Sequence, residues 1–164
     1  MAVDRVNLVR EGFEAWNSED PHWVLEHMTP DVEWIAPERD PFPGTYRGYE
    51  GVQEFWSRWR NAVGQLRFAP EEVIDAGDHV VVIAHRWARN EITGLQISDK
   101  VAQVFSFRDD DKCVRVQEFH DRGTAIASPD HPHRTLPPIQ GCSHQMLRSG
   151  AYRDRSLTAV HGTP

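Results

Sequence analysis

Three polar residues interrupt apolar, alternating runs in the second half of the chain: His85 in HVVVIAHRW, Gln103 in VAQVFSF and Glu118 in VRVQEFHD. A carboxyl and an imidazole inside an apolar enclosure can exchange protons with a bound molecule. Burial raises the pKa of a carboxylate and lowers that of histidine, and mutual proximity does the reverse. Such a pair could titrate near neutrality, as general acid–base chemistry requires. An amide beside them could donate to a developing oxyanion. His120 and Asp121 follow at once and would stand at the rim. The plainer alternative is a satisfied polar pair in a core, with Asp121 serving as a helix cap ahead of Arg-Gly-Thr-Ala.

Whether these groups meet depends on strand register. In 79–90, Val81, Ile83, His85 and Trp87 share one face, and Val80, Val82, Ala84 and Arg86 share the other. The bulkier first set is assigned inward. In 100–108, Val101, Gln103, Phe105 and Phe107 share the inward face. In 112–120, Val114, Val116, Glu118 and His120 point inward, and Cys113, Arg115, Gln117 and Phe119 outward. Arg108 opposite Cys113 places Gln103 opposite Glu118 and Val101 opposite His120. A connection over 91–97 places His85 opposite Gln103. His85, Gln103 and Glu118 then form one transverse row on strands ~4.8 Å apart. A one-residue slip turns each polar group to the other face.

The remaining elements must hold that row. Val6, Val9, Phe13 and Trp16 recur at helical spacing, and the helix ends near Asn17. Asp20 caps a second, short helix with Pro21 at its first position. Trp23, Val24, Leu25 and Met28 give it an apolar surface, and Thr29-Pro30 ends it. A short strand covers 32–35. The Pro- and Gly-rich stretch 36–48 is a loop, long enough inside a compact domain to carry function. A third helix follows Gly48 with Val52, Phe55, Trp56, Trp59 and Val63 as its buried stripe. Turns at 76–78 and 109–111 separate strands at 66–75, 79–90, 100–108 and 112–120. Helices followed by an antiparallel meander give an α+β class.

Composition narrows the function. The 164 residues carry a net charge of −7, which argues against a nucleic-acid partner. No apolar run approaches the ~20 residues of a membrane span, and the N-terminus lacks a secretory apolar stretch. Two cysteines make no disulfide framework, so a reducing cytoplasmic location is expected. Residues 1–127 hold all six Trp and form one domain, whereas 128–164 hold five Pro and four His. That tail is expected to be extended or partly disordered, with 135–139 packed on the body. The spacing of His131, His133, Cys142 and His144 matches no zinc pattern, so no metal is expected. There is no phosphate-cradling glycine loop and no nucleophile elbow.

The stretches FEAWNSEDPHWVLEHMTPDVEW, YRGYEGVQEFWSRW, EEVIDAGDHVVVIAHRW, AQVFSFRDDDKCVRVQEF and HDRGTAI, in that order, resemble the SnoaL-like, polyketide cyclase-like family of the nuclear transport factor 2-like superfamily. The resemblance implies a cone-shaped curved antiparallel sheet wrapped around three N-terminal helices, the cystatin-like or nuclear transport factor 2-like fold. It implies a pocket inside the cone, a frequent homodimer, and no cofactor in most members. Its enzymes include cyclases, isomerases, lyases that dehydrate, and epoxide hydrolases. The expected function is therefore acid–base chemistry on a compact apolar or aromatic small molecule. Glu118 and His85 would be acid and base, Gln103 a polariser, and His120 and Asp121 rim groups. The alternative is a non-catalytic binding or dimerisation module. Phe13, Trp16, Trp34, Trp59, Trp87, Val101, Phe105 and Val116 are the expected lining. Phe13 stands where the superfamily's steroid isomerases carry a Tyr, and Gln103 where they carry an Asp donor. The stretch after Trp34 offers no counterpart to their Asp base. No strand carries the inward Arg-x-Asp of the epoxide hydrolases. The homodimer is expected on the outer sheet face through Val80, Val82, Val104 and Phe119.

Overall fold

The computed structural model describes residues 3–126. The readings made for 128–164, including the packing of 135–139, lie outside the described residues. Helix α1 (Arg5–Asn17) starts at Asp4, whose side chain accepts from the Asn7 amide, and buries Val9 and Phe13. Helix α2 (Pro21–Glu26) starts at Asp20, whose carboxylate accepts from the Trp23 amide at 3.1 Å. Strand β1 (Met28–Ala36) is longer than the sequence suggested. Thr29-Pro30 lies inside it rather than ending α2. The missing N–H of Pro30 is tolerated because the β1 register is irregular between Met28 and Glu33.

Strand β2 (Gly44–Arg47) emerges from the Pro-rich loop, and α3 (Gly48–Val63) buries the predicted stripe of Val52, Phe55, Trp56, Trp59 and Val63. Gly64 caps α3 at φ 84°. A Cβ there would stand 3.1 Å from the Arg89 carbonyl oxygen, so a side chain would be both strained and crowded. Strands β3 (Arg67–Asp75), β4 (His79–Arg89), β5 (Gln96–Phe107) and β6 (Cys113–Phe119) form the antiparallel meander, and α4 (Arg122–Ile126) follows. The six-stranded sheet has the order β2-β1-β6-β5-β4-β3. It is mixed, because β1 runs parallel to β6. No helix among the described residues is long and apolar enough to cross a membrane.

The helices cover one face of the sheet, and the main core lies between them. A second, smaller core lies on the opposite face, where Val81, Ile83, Ala102 and Val104 pack with Ala125 and Ile126 of α4. This second core overturns the expected phase of β4. Val80, Val82, Ala84 and Arg86 face the helices, while His85 and Trp87 face away. Both faces of β4 are apolar because both are covered, so bulk could not tell them apart. The β4–β5 register agrees with that phase: Val82 sits opposite Gln103, and His85 sits opposite Lys100. That is three residues from the expected pairing, and an odd slip exchanges the faces.

The β5–β6 register is as expected at the centre, with Gln103 opposite Glu118. It shifts between Ser106 and Phe107, so Phe107 rather than Arg108 opposes Cys113. The irregularity at Val114 turns Cys113 inward, where it is buried, although alternation alone assigned it outward.

Candidate active site

A cavity of about 90 Å³ lies between the helices and the sheet. One water needs ~10–15 Å³ of such space, so there is room for a small molecule. Its helical wall is built by Phe13 and Trp16 of α1, Trp23 and Val24 of α2, and Phe55, Trp56 and Trp59 of α3. The sheet contributes Trp34, Arg86, Gln103, Phe105, Cys113 and Glu118. The aromatic walls brace one another. Trp16 meets Trp56 edge-on with centroids 4.9 Å apart, and Trp34 meets Trp56 at 5.9 Å. Trp16 is fixed further by its indole N–H, which donates to the Leu66 carbonyl at 2.7 Å. The neighbouring Asn17 donates to the Phe68 carbonyl and accepts from its amide, which ties the end of α1 to β3.

The polar end is where β4, β5 and β6 lie side by side. Gln103 Nε2 donates to Glu118 Oε2 at 2.7 Å, and both residues are buried. Glu118 Oε1 has no hydrogen-bond partner. Burial pushes the Glu118 carboxyl up to about 7, and Asp40 pushes the same way. Arg86, Gln103 and Trp34 pull it down. The Trp34 indole N–H thus faces the carboxyl closely enough to favour its charged form, yet closes no hydrogen bond of ordinary geometry. Trp59, also on the wall, has a buried indole N–H with no partner.

Arg86 is fully enclosed. Its Nε and Nη2 donate to Asp99 at 3.0 and 2.9 Å, and Nη1 lies 3.6 Å from Asp40 Oδ2. Its guanidinium stands 4.7 Å over the Trp59 ring. These two carboxylates hold its pKa far above the ordinary arginine value despite burial. Asp40 reaches it from the loop between β1 and β2. There Asp40 Oδ1 accepts from the Phe42 amide at 3.0 Å, and Phe42 packs edge-on against Trp59.

Of the residues singled out from sequence, Glu118, Gln103, Phe13, Trp16, Trp34, Trp59 and Phe105 line the cavity. Val101 and Val116 are buried in the adjoining core but not on its wall. His85 and Trp87 are on the opposite face of the sheet, where His85 bonds Ser98 at 2.8 Å and Trp87 is 39% exposed. The expected row of three is therefore a pair. Asp121 caps α4, accepting from the Thr124 amide at 2.8 Å and from its hydroxyl. Neither Asp121 nor His120 lines the cavity. Arg86, Asp99 and Asp40 were missed. Asp99 had a signal, since it continues the inward alternation of Val101 and Gln103 one step earlier. Cys113 is on the wall, but burial pushes its thiol up to about 12, so it is no nucleophile at neutral pH.

Residues 9–116 match the SnoaL-like domain, and the chain belongs to that family. Among solved structures, TerC co-crystallised with polyporic acid is 28% identical, covering 70% of this chain and 89% of that one, with a TM-score of 0.62. An NTF2-like protein of unknown function from Burkholderia pseudomallei is 26% identical, covering 76% and 96%, with a TM-score of 0.65. A putative SnoaL-like polyketide cyclase from Jannaschia is 19% identical, covering 70% and 83%, with a TM-score of 0.59. That last likeness shows the fold alone. No curated protein matches the sequence.

Proposed function

We propose that the chain binds a compact, largely apolar small molecule in this cavity and that Glu118 transfers a proton on it, in a cyclisation, isomerisation or dehydration. The observation that carries this reading is the Glu118 carboxyl itself. One oxygen is held by Gln103, the Trp34 indole N–H faces the carboxyl, and burial pushes its pKa up to about 7. Such a carboxyl can take and return a proton at neutral pH. Gln103 fixes its orientation. TerC, crystallised with polyporic acid, supports a small-molecule ligand. Glu118→Gln keeps the size and the Gln103 neighbour but cannot exchange the proton. Across a panel of enolisable one- and two-ring ketones, wild-type turnover should vanish in that variant while its circular dichroism stays native. Turnover retained in the variant removes Glu118 from the chemistry. Ligand binding without turnover in either protein leaves a binding module.

The same reading carries a homodimer through the outer sheet face, on different residues from those first expected. Val80 and Val82 are turned into the main core, and Val104 is buried beside α4. Among the described residues, that face leaves Trp87 39% exposed, with His85 tilted against it at 5.4 Å.

A further inference from the structure

A proton moved at one point of a bound molecule has to be balanced at another, and the cavity carries a second group suited to that. Among the described residues on its wall, only His27, Arg86, Cys113 and Glu118 have ionisable side chains. Arg86 is held in its ion pair with Asp99, and the Cys113 thiol is pushed up to about 12. His27 is left. It caps the C-terminus of α2 and is half-buried. Its Nδ1 lies 2.7 Å from the Trp23 carbonyl oxygen. A carbonyl only accepts, so Nδ1 carries the hydrogen, and the neutral ring presents a bare lone pair at Nε2. Trp23 stacks on the imidazole with centroids 3.8 Å apart and planes 22° from parallel. The hydrogen bond sets the tautomer and the stacking sets the plane. Among the described residues, Nε2 has no hydrogen-bond partner. The His27 carbonyl accepts from the Cys113 amide at 2.9 Å, which seats the end of α2 against the start of β6. Glu118 lies five residues further along β6 than Cys113, ~16 Å at ~3.3 Å per residue. His27 and Glu118 thus flank the β6 side of the cavity, too far apart to share a hydrogen bond. A molecule lying between them touches both.

We propose that His27 is a second catalytic residue of this cavity, its Nε2 taking a proton from the bound molecule while protonated Glu118 gives one at the other end. This role rests on the reading of Glu118 as a proton-transfer group. With an enolisable ketone, the Nε2 lone pair takes the α-hydrogen as a proton. The electrons of that C–H bond become the C=C bond, the carbonyl π pair moves to oxygen, and the oxygen takes the Glu118 proton. The products are an enol, an imidazolium and a carboxylate, with charge conserved. The half-buried imidazolium exchanges its proton with water, and the reverse step returns solvent hydrogen to the α-carbon.

The test is hydrogen exchange in 2-tetralone, a two-ring ketone, in neutral deuterium oxide. Loss of the hydrogens beside its carbonyl is followed by proton NMR, and its affinity by calorimetry. The wild type should accelerate the exchange. His27→Asn keeps a side-chain N–H where Nδ1 stands, so the Trp23 carbonyl keeps its donor. That variant should lose at least ~100-fold in exchange rate, while its affinity for 2-tetralone changes by less than about threefold. Glu118→Gln should lose as much rate. His27→Ala should regain exchange with added imidazole and regain little with 1,2,4-triazole, which has the same size and is much less basic. Equal recovery with both would reduce the ring to a spacer and overturn the proposal. Should His27→Asn fail to fold, that comparison decides. His27→Asn at the wild-type rate with Glu118→Gln inactive sinks the role of His27 and leaves the Glu118 reading standing. Glu118→Gln at the wild-type rate with His27→Asn inactive sinks the Glu118 reading and leaves His27 as the base. No acceleration by the wild type overturns both.

Discussion

Glu118 stands at the junction of two opposing pressures, and their balance has a sign that stability measurements can read. Burial and Asp40 raise its pKa to about 7 in the folded chain, against ~4.3 when unfolded. Between those values the folded state holds the proton and the unfolded state releases it. Rising pH therefore removes stability across this window, by up to about 4 kcal/mol once pH exceeds 7. Glu118→Gln has no such proton. Its stability relative to the wild type should improve from pH 5 to about pH 7 in urea titrations and level off above that. A difference that stays flat over that range would mean Glu118 ionises as an ordinary exposed carboxylate. Residue-level reading found Glu118 and Gln103 because each breaks an apolar alternation on a strand whose face was correctly assigned. It missed Arg86 because the phase of β4 was reversed, and Asp40 because no periodicity exists inside a Pro-rich loop.

At the scale of elements, strand identity was far more legible than strand phase. The α3 stripe, the α2 cap at Asp20 and the four-strand meander all follow from local signals. The phase of β4 depends on α4, five residues packed on the far side of the sheet, which makes the second face apolar too. No signal within β4 reports that cover. Likewise the irregularity near Val114 that turns Cys113 inward is set by pairing with β5, not by residues of β6 alone. The corrected phase has a direct consequence. His85→Ala alters the outer face only, so the affinity of the cavity for 2-tetralone should change by less than about twofold, a difference under ~0.5 kcal/mol. A tenfold loss in that titration would return His85 to the site.

For the whole molecule, the outer face carries the assembly question. A dimer across Trp87 and His85 should sediment as such at micromolar concentration and dissociate in Trp87→Arg; a wild-type monomer at that concentration counts against it. The parallel pairing of β1 with β6 bears on a different property, the order in which the chain folds. Trp34 pairs with Val116 and Ile35 with Gln117 across most of the described chain, while the meander joins strands that are neighbours in sequence. Closing the long loop costs more chain entropy than closing the hairpins. The meander is then expected to form in the transition state, and β1 to dock after it. Val32 is fully buried in β1, and Val32→Ala should cost on the order of 2 kcal/mol. That cost should appear mainly as faster unfolding, with the refolding limb of the chevron nearly unchanged. An equal slowing of refolding would place β1 in the nucleus instead. With β1 last, the wall bearing Trp34 and the loop bearing Asp40 arrive together. The cavity is then a late product of folding, and a molecule bound in it acts as a brake on the first step of unfolding.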